Sequence, residues 1–171
     1  MTDDPKADPN KGLQKAQVRF DCHGSATGKM RNELAVTMKL PFEEGPFELA
    51  TDEGSFHGGD ATAPPPLALF VASMTGCIMT QIRAFAKRLD VTLNDLTVDT
   101  RAVWDWEAKG RVYETAPHYF EIDVSIDSSD DEARVVQLIN VAKKGCFIEQ
   151  TLSTANIIHH RMKTEDGWKT V

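Results

Sequence analysis

The segment from Pro66 to Asp90 constrains this chain more than any other part of it. Leu67, Phe70, Val71, Met74, Ile78, Ile82, Phe85 and Leu89 recur at steps of three and four, the spacing that lines up side chains along an α-helix. Pro64, Pro65 and Pro66 stand at its start, where a missing N–H is harmless. The first half is apolar nearly all round and must be covered on most sides. The second half, "QIRAFAKRLD", turns amphipathic and ends toward solvent. At ~1.5 Å per residue the helix spans on the order of 36 Å, enough to run through the middle of a domain. Prolines, threonines, a serine, a glycine and a glutamine break the run from Ala61 to Ile82 before it reaches the ~20 apolar residues of a bilayer span, so a buried helix is expected. A single curved sheet drawn from 171 residues covers such a helix poorly; a homodimer with two of these helices packed between sheets covers it well.

Strands flank the helix on both sides. "NELAVTMKL" alternates, with Leu34, Val36, Met38 and Leu40 on one face and Glu33, Ala35, Thr37 and Lys39 on the other. "AQVRFDCH" before it and "PFELATDE" after it read as further strands, with "GSATGKMR" as a hairpin connection and "GSFHGGDATAPPP" as a loop. Beyond the helix, "LTVDTRAVWDWE" places Leu96, Val98, Ala102, Trp104 and Trp106 on one face, and "HYFEIDVSID" does the same with Phe120, Ile122, Val124 and Ile126. The glycine between them predicts a hairpin. "SSDDEARVVQLINVAKKG" predicts a second helix, opened by Ser129 and Glu132 in capping-box spacing and stopped by Gly145. "CFIEQTLSTA" reads as a short helical piece and "NIIHHRMKTEDGWKTV" as a last strand or hairpin. The fold class is α+β with mainly antiparallel sheet. Residues 1–13 are expected to form a disordered lead, and 14–171 a single domain.

Charge and composition narrow the partners. A net charge of -7, with the basic residues scattered singly, argues against nucleic acid and against an anionic membrane surface. The polar start "MTDDPKADPNKG" has no apolar h-region, and three cysteines do not make a secreted disulfide framework, so cytoplasmic residence is expected. No CxxC or HExxH occurs and the five histidines keep no ligand spacing, so no metal is expected; Cys22, His23 and His57 are read as structural.

Two cysteines carry what chemistry the chain offers. Cys77 lies about three turns into the long helix, where a thiol is either packing material or a reagent needing a donor from elsewhere in the fold. Cys146 is better placed: it follows Gly145 at the apparent start of a helical segment, where free N–H groups favour a thiolate, with Lys143 and Lys144 nearby.

"GGDATAPPPLALFVASMTGCIMTQIRAFAKRLDV" resembles the OsmC/Ohr family of cysteine-based hydroperoxide reductases, and "INVAKKGCFIEQTLS" resembles that family's closing helix and second cysteine. The resemblance covers nearly all of residues 15–163. It implies an OsmC-like fold, an intertwined homodimer whose sheets wrap two long central helices. It also implies that Cys77 is the peroxidatic thiol and Cys146 the resolving one. An organic hydroperoxide would oxidise the first to a sulfenic acid, the second would condense with it to a disulfide, and a dithiol, dihydrolipoyl groups in the Ohr branch, would reduce the enzyme. No cofactor is implied. Family peroxidases activate the first cysteine with an arginine from the N-terminal strands, oriented by a glutamate before the helix. Here Leu67 or Ala68 stands at the glutamate position, and the arginine position falls close to His23, with Arg19 four residues earlier and Arg31 eight later. His23 and Arg19 are therefore the candidates for the activating charge. Phe147 replaces the proline that usually follows the second cysteine. The alternative implied by Leu67 is a catalytically weak OsmC-type dimer that binds a small apolar ligand or senses oxidants through a thiol.

Overall fold

The three- and four-residue spacing resolves as helix α1, Pro66–Leu89, with Pro66 as its first residue. The structure, a computed structural model, describes residues 15–171; the lead expected over residues 1–13 lies outside the described residues. The chain divides into two compact units, one running to Ala68 and one from Leu69 to Val171, so α1 starts at the end of the first and continues in the second.

In the first unit, β1 (Arg19–Thr27), β2 (Arg31–Leu40) and β3 (Glu44–Thr51) form an antiparallel sheet in that order. The register sets Cys22 against Val36 and Val36 against Phe47, and Gly24 against Leu34 and Leu34 against Leu49. Because side chains alternate, this gathers Phe20, Cys22, Leu34, Val36, Met38, Phe47 and Leu49 on one face. His23, Ser25, Glu33 and Ala35 share the other. β1 runs further than the sequence suggested, and the turn after it is only Gly28 to Met30, with Gly28 at φ 60.

The loop from Asp52 to Pro65 is held by one carboxylate. Asp52 is buried and accepts from Glu53 N (2.8 Å), Thr62 N (2.9 Å) and Thr62 Oγ1 (2.7 Å), and from the Asp60 backbone. Arg31 closes the loop from β2, donating to Thr62 O (3.1 Å) and Thr62 Oγ1 (3.0 Å) while pairing with Glu33. Gly59 is required here by close approach, since a Cβ would fall 1.9 Å from Glu53 O.

In the second unit, β4 (Asp95–Lys109) and β5 (Val112–Asp127) make the expected hairpin, α2 (Glu132–Gly145) and α3 (Phe147–Leu152) follow, and β6 (Arg161–Thr164) pairs with β7 (Gly167–Thr170). The core joins Ile78, Ile82 and Ala86 of α1 to Leu138 and Ala142 of α2, with Val91 and Cys146; Leu96, Val98, Ile122, Val124 and Ile126 pack on it from the hairpin. Trp106 shares that face with Trp104, since the register shift between Val103 and Trp104 adds His118 to β5 and leaves β4 unbroken; Trp104 packs with Phe70 and Phe120, while Trp106 is exposed beside Tyr113.

One helix end also differs from the sequence reading. The N-cap of α2 is Asp131, whose side chain accepts from Arg134 N, rather than Ser129. Asp130 is occupied by Thr92 N and Arg134, and the helix starts two residues later than the capping-box spacing suggests. At its other end α2 stops at Gly145, as the sequence predicts.

α1 buries a single stripe, Met74, Ile78, Ile82 and Ala86. The rest of its apolar surface is open in one chain: Leu67 is 56% exposed, and only 17% of the helix's most apolar stretch is buried. By length and composition α1 could cross a membrane. The stripe that it does bury is instead packed on hairpin and helix side chains of the same chain.

Candidate active site

The site is built where α2 ends against the middle of α1. Cys77 occupies the third turn of α1, one residue before the core residue Ile78, and is half-buried. Two residues earlier, Thr75 donates its hydroxyl to Val71 O (2.9 Å) and meets the Thr100 hydroxyl of β4 (2.9 Å), which ties this part of the helix to the hairpin.

Cys146 comes to the same place from the other direction. It is at once the residue that ends α2 and the N-cap of α3, with extended backbone at φ -77 and ψ 109. Its carbonyl accepts from Gln150 N (2.9 Å), and the backbone N–H groups of Glu149 and Ile148 pull the pKa of its thiol down. Cys146 is fully buried, and the Cys77 sulfur is near enough to raise its pKa. Both are free thiols.

The sequence placed Cys146 where helix N–H groups should favour a thiolate. Those groups are present and pull in that direction, but burial outweighs them. Together with the neighbouring Cys77 sulfur, burial pushes the Cys146 thiol up to about 11. At neutral pH it is therefore a thiol held beside Cys77.

Arg19 and His23 lie in the first unit on β1. Asp21 takes the Arg19 guanidinium at both ends (Nε to Oδ1 2.8 Å, Nη2 to Oδ2 2.8 Å), which holds the Arg19 pKa up and the Asp21 carboxyl down. His23 stands on the face shared with Ser25, across from Ala35. Cys22 faces the opposite way, opposite Val36. Among the described residues no three of His, Cys, Asp and Glu gather as a metal would require.

The sequence reading passed over two features of the site. Gly145 was legible only as a helix stop, while its lack of a side chain lets α2 sit on Phe85 and Gln81 of α1. The Thr75–Thr100 hydroxyl pair had no signal at all, because it joins residues of a helix and a strand that only the fold makes neighbours.

Residues 58–161, which contain α1, the hairpin, α2 and both cysteines, match the family model described as OsmC-like protein. The chain belongs to the OsmC family. An OsmC-like hydroperoxide resistance protein from Jannaschia sp. CCS1 is 58% identical over 90% of this chain and 97% of that one, with a TM-score of 0.63. An OsmC-like protein from Mycoplasma pneumoniae is 14% identical over 84% of this chain and 91% of that one (TM-score 0.61). An organic hydroperoxide resistance protein from Elizabethkingia anophelis is 16% identical over 78% and 86% (TM-score 0.54). The last two are similar in fold alone. No curated protein matches. The OsmC fold expected from the two cysteine motifs is thus the fold of this chain, with mixed helices and antiparallel sheets.

Proposed function

We propose that this OsmC-family protein is a thiol-dependent reductase of organic hydroperoxides working through Cys77 and Cys146. The observation that carries the reading is the proximity of these two thiols, which come from different helices, share one core cluster and interact closely enough for Cys77 to raise the Cys146 pKa. The Cys77 thiolate attacks the outer oxygen of the hydroperoxide, the O–O bond breaks, and the alkoxide leaves as the alcohol after taking a proton. Cys77 is left as a sulfenic acid. The Cys146 sulfur, as thiolate, then attacks the Cys77 sulfur, the S–S bond forms, and hydroxide leaves as water. A small dithiol, with lipoyl-type groups as the proposed class, reduces the disulfide by exchange and is itself oxidised. No cofactor enters this cycle.

The electrostatics of Cys146 suit a resolving role. Burial keeps it protonated first of all, and the Cys77 sulfur adds to that. Oxidation of Cys77 to a neutral sulfenic acid removes the second contribution, while the N–H groups of Ile148 and Glu149 stay to stabilise a Cys146 thiolate. Cys77 is thereby the first nucleophile and Cys146 the second. The activating charge for Cys77 is proposed, on the family resemblance, to come from His23 or Arg19.

The open apolar surface of α1 supports a homodimer in which a second copy covers it, and with it residence in the cytoplasm rather than a membrane. The competing reading, a weakly catalytic OsmC-type dimer that binds an apolar ligand or senses oxidants, rests on the exposed Leu67 at the glutamate position.

One experiment separates them. After one equivalent of cumene hydroperoxide, peptide mass spectrometry should find a Cys77–Cys146 disulfide, and peroxide consumption with a dithiol should be lost in Cys77→Ser. Persistence of both free thiols beside unconsumed peroxide defeats the proposal. Cys146→Ser should still react once and leave Cys77 as a sulfenic acid that dimedone traps.

A further inference from the structure

Gly145 is the last residue of α2, and its backbone is outside the left-handed region, so conformational freedom does not explain a glycine there. Space does. A Cβ at Gly145 would fall 2.5 Å from Cε2 and 2.9 Å from Cζ of Phe85, and 3.3 Å from Oε1 of Gln81. Gln81 and Phe85 follow Cys77 by four and eight positions, so all three lie along one side of α1. The bare edge of Gly145 is seated on the strip of α1 that begins at Cys77. The next residue is Cys146. The Phe85 ring has limited room to retreat, since it packs against the core and carries the Arg88 guanidinium on its face, 5.4 Å from the ring centroid.

We infer that Gly145 is a positioning residue for disulfide formation: by letting α2 end in contact with α1, it sets the approach of the Cys146 sulfur to Cys77. This rests on the two-cysteine reading above. A disulfide needs an S–S separation near ~2.0 Å and a narrow range of Cα spacings, so a small withdrawal of the α2 end is felt directly. The first step, attack of Cys77 on the peroxide, does not involve α2 and is left alone. Gly145→Ala therefore uncouples the two steps.

The test compares wild type, Gly145→Ala, Phe85→Ala and the double variant after one equivalent of cumene hydroperoxide. Cys77 sulfenic acid is trapped with dimedone and the Cys77–Cys146 disulfide is followed by quenched peptide mass spectrometry. In Gly145→Ala, sulfenic acid should form at the wild-type rate while the disulfide forms at least about tenfold more slowly, since a misplacement on the order of 1 Å can cost about a hundredfold. Removing the ring in the double variant should restore most of the disulfide rate. A disulfide rate in Gly145→Ala within about twofold of wild type overturns the inference, as does a double variant no faster than Gly145→Ala. If Gly145→Ala does not fold, Gly145→Ala in a Phe85→Leu background keeps a smaller obstacle. A disulfide rate below that of Phe85→Leu alone is expected, and an equal rate overturns the inference. A wild type that never oxidises at Cys77 defeats the two-cysteine reading and this inference with it, whereas normal wild-type disulfide beside an equally fast Gly145→Ala defeats this inference alone.

Discussion

The guanidinium of Arg134 donates to the backbone carbonyl of Asp90 at 2.8 Å, so the first turn of α2 caps the last turn of α1. It also reaches Leu89 O (3.1 Å) and pairs with Asp130. Asp90 sits in the left-handed region at φ 54, and Val91 N bonds back to Ala86 O (2.9 Å), closing the helix as a Schellman turn does.

Two substitutions read this helix end in opposite directions. Arg134→Met should lower stability by about 1 kcal/mol, less than a buried charged hydrogen bond because the side chain is partly solvated. Asp90→Gly should raise it by about 0.5–1 kcal/mol by relieving the left-handed conformation. Urea denaturation with an unchanged m-value checks both. A stabilised Arg134→Met would remove the capping argument.

Asp52 holds its loop through hydrogen bonds to the ionised carboxylate, foremost from Thr62, which keep its pKa below the ordinary 3.8. With the folded value depressed, this contribution is present above about pH 4 and is lost as pH falls through the folded value. Asp52→Asn should therefore lower Tm at pH 7, and the gap from wild type should shrink as pH drops below 3.8. Limited proteolysis between Glu53 and Thr62 should accelerate in the variant. A pH-independent gap would show that the charge is not what matters.

Cys146 predicts the opposite end of the pH scale. Its folded value is raised from 9.0 to about 11. The folded state thus keeps a proton that the unfolded chain loses, and the resulting stability is full below pH 9 and declines as pH rises toward 11. Thermal melts of the reduced protein should fall more steeply over that interval in wild type than in Cys146→Ala. Parallel slopes would contradict the burial of this thiol.

Leu138 is fully buried in the core between α1 and α2. Leu138→Ala should cost about 2–5 kcal/mol through lost burial and a residual cavity. Val136, two residues away on the same helix and 48% exposed, should cost well under about 1 kcal/mol on the same change. Chemical denaturation of the pair decides whether α2 packs with the face described.

Much of this architecture lay in local pattern. The helix from Pro66, the Asp95–Asp127 hairpin and the short helix after Cys146 were legible because side-chain period and turn residues are properties of neighbouring positions. Trp106 keeps the face the alternation gives it but is exposed, because how far along the hairpin the core reaches is set by packing. The cap at Asp131 was missed because Asp130 is claimed by Thr92, a residue from another part of the fold.

For the site the division is similar. The sequence alone determined that two cysteines stand at the positions that resemble the OsmC motifs, that Leu67 or Ala68 stands where the resemblance leads one to expect a glutamate, and that the helix carrying Cys77 is too apolar to stand in water uncovered. Only the tertiary structure decided that the Cys77 sulfur lies near enough to Cys146 to raise its pKa, that burial overrides helix N–H groups at Cys146, and that Gly145 is glycine for want of room beside Phe85. Sequence period fixes which face a side chain takes, whereas solvent exclusion and close contact between distant segments come into being only when the helices pack.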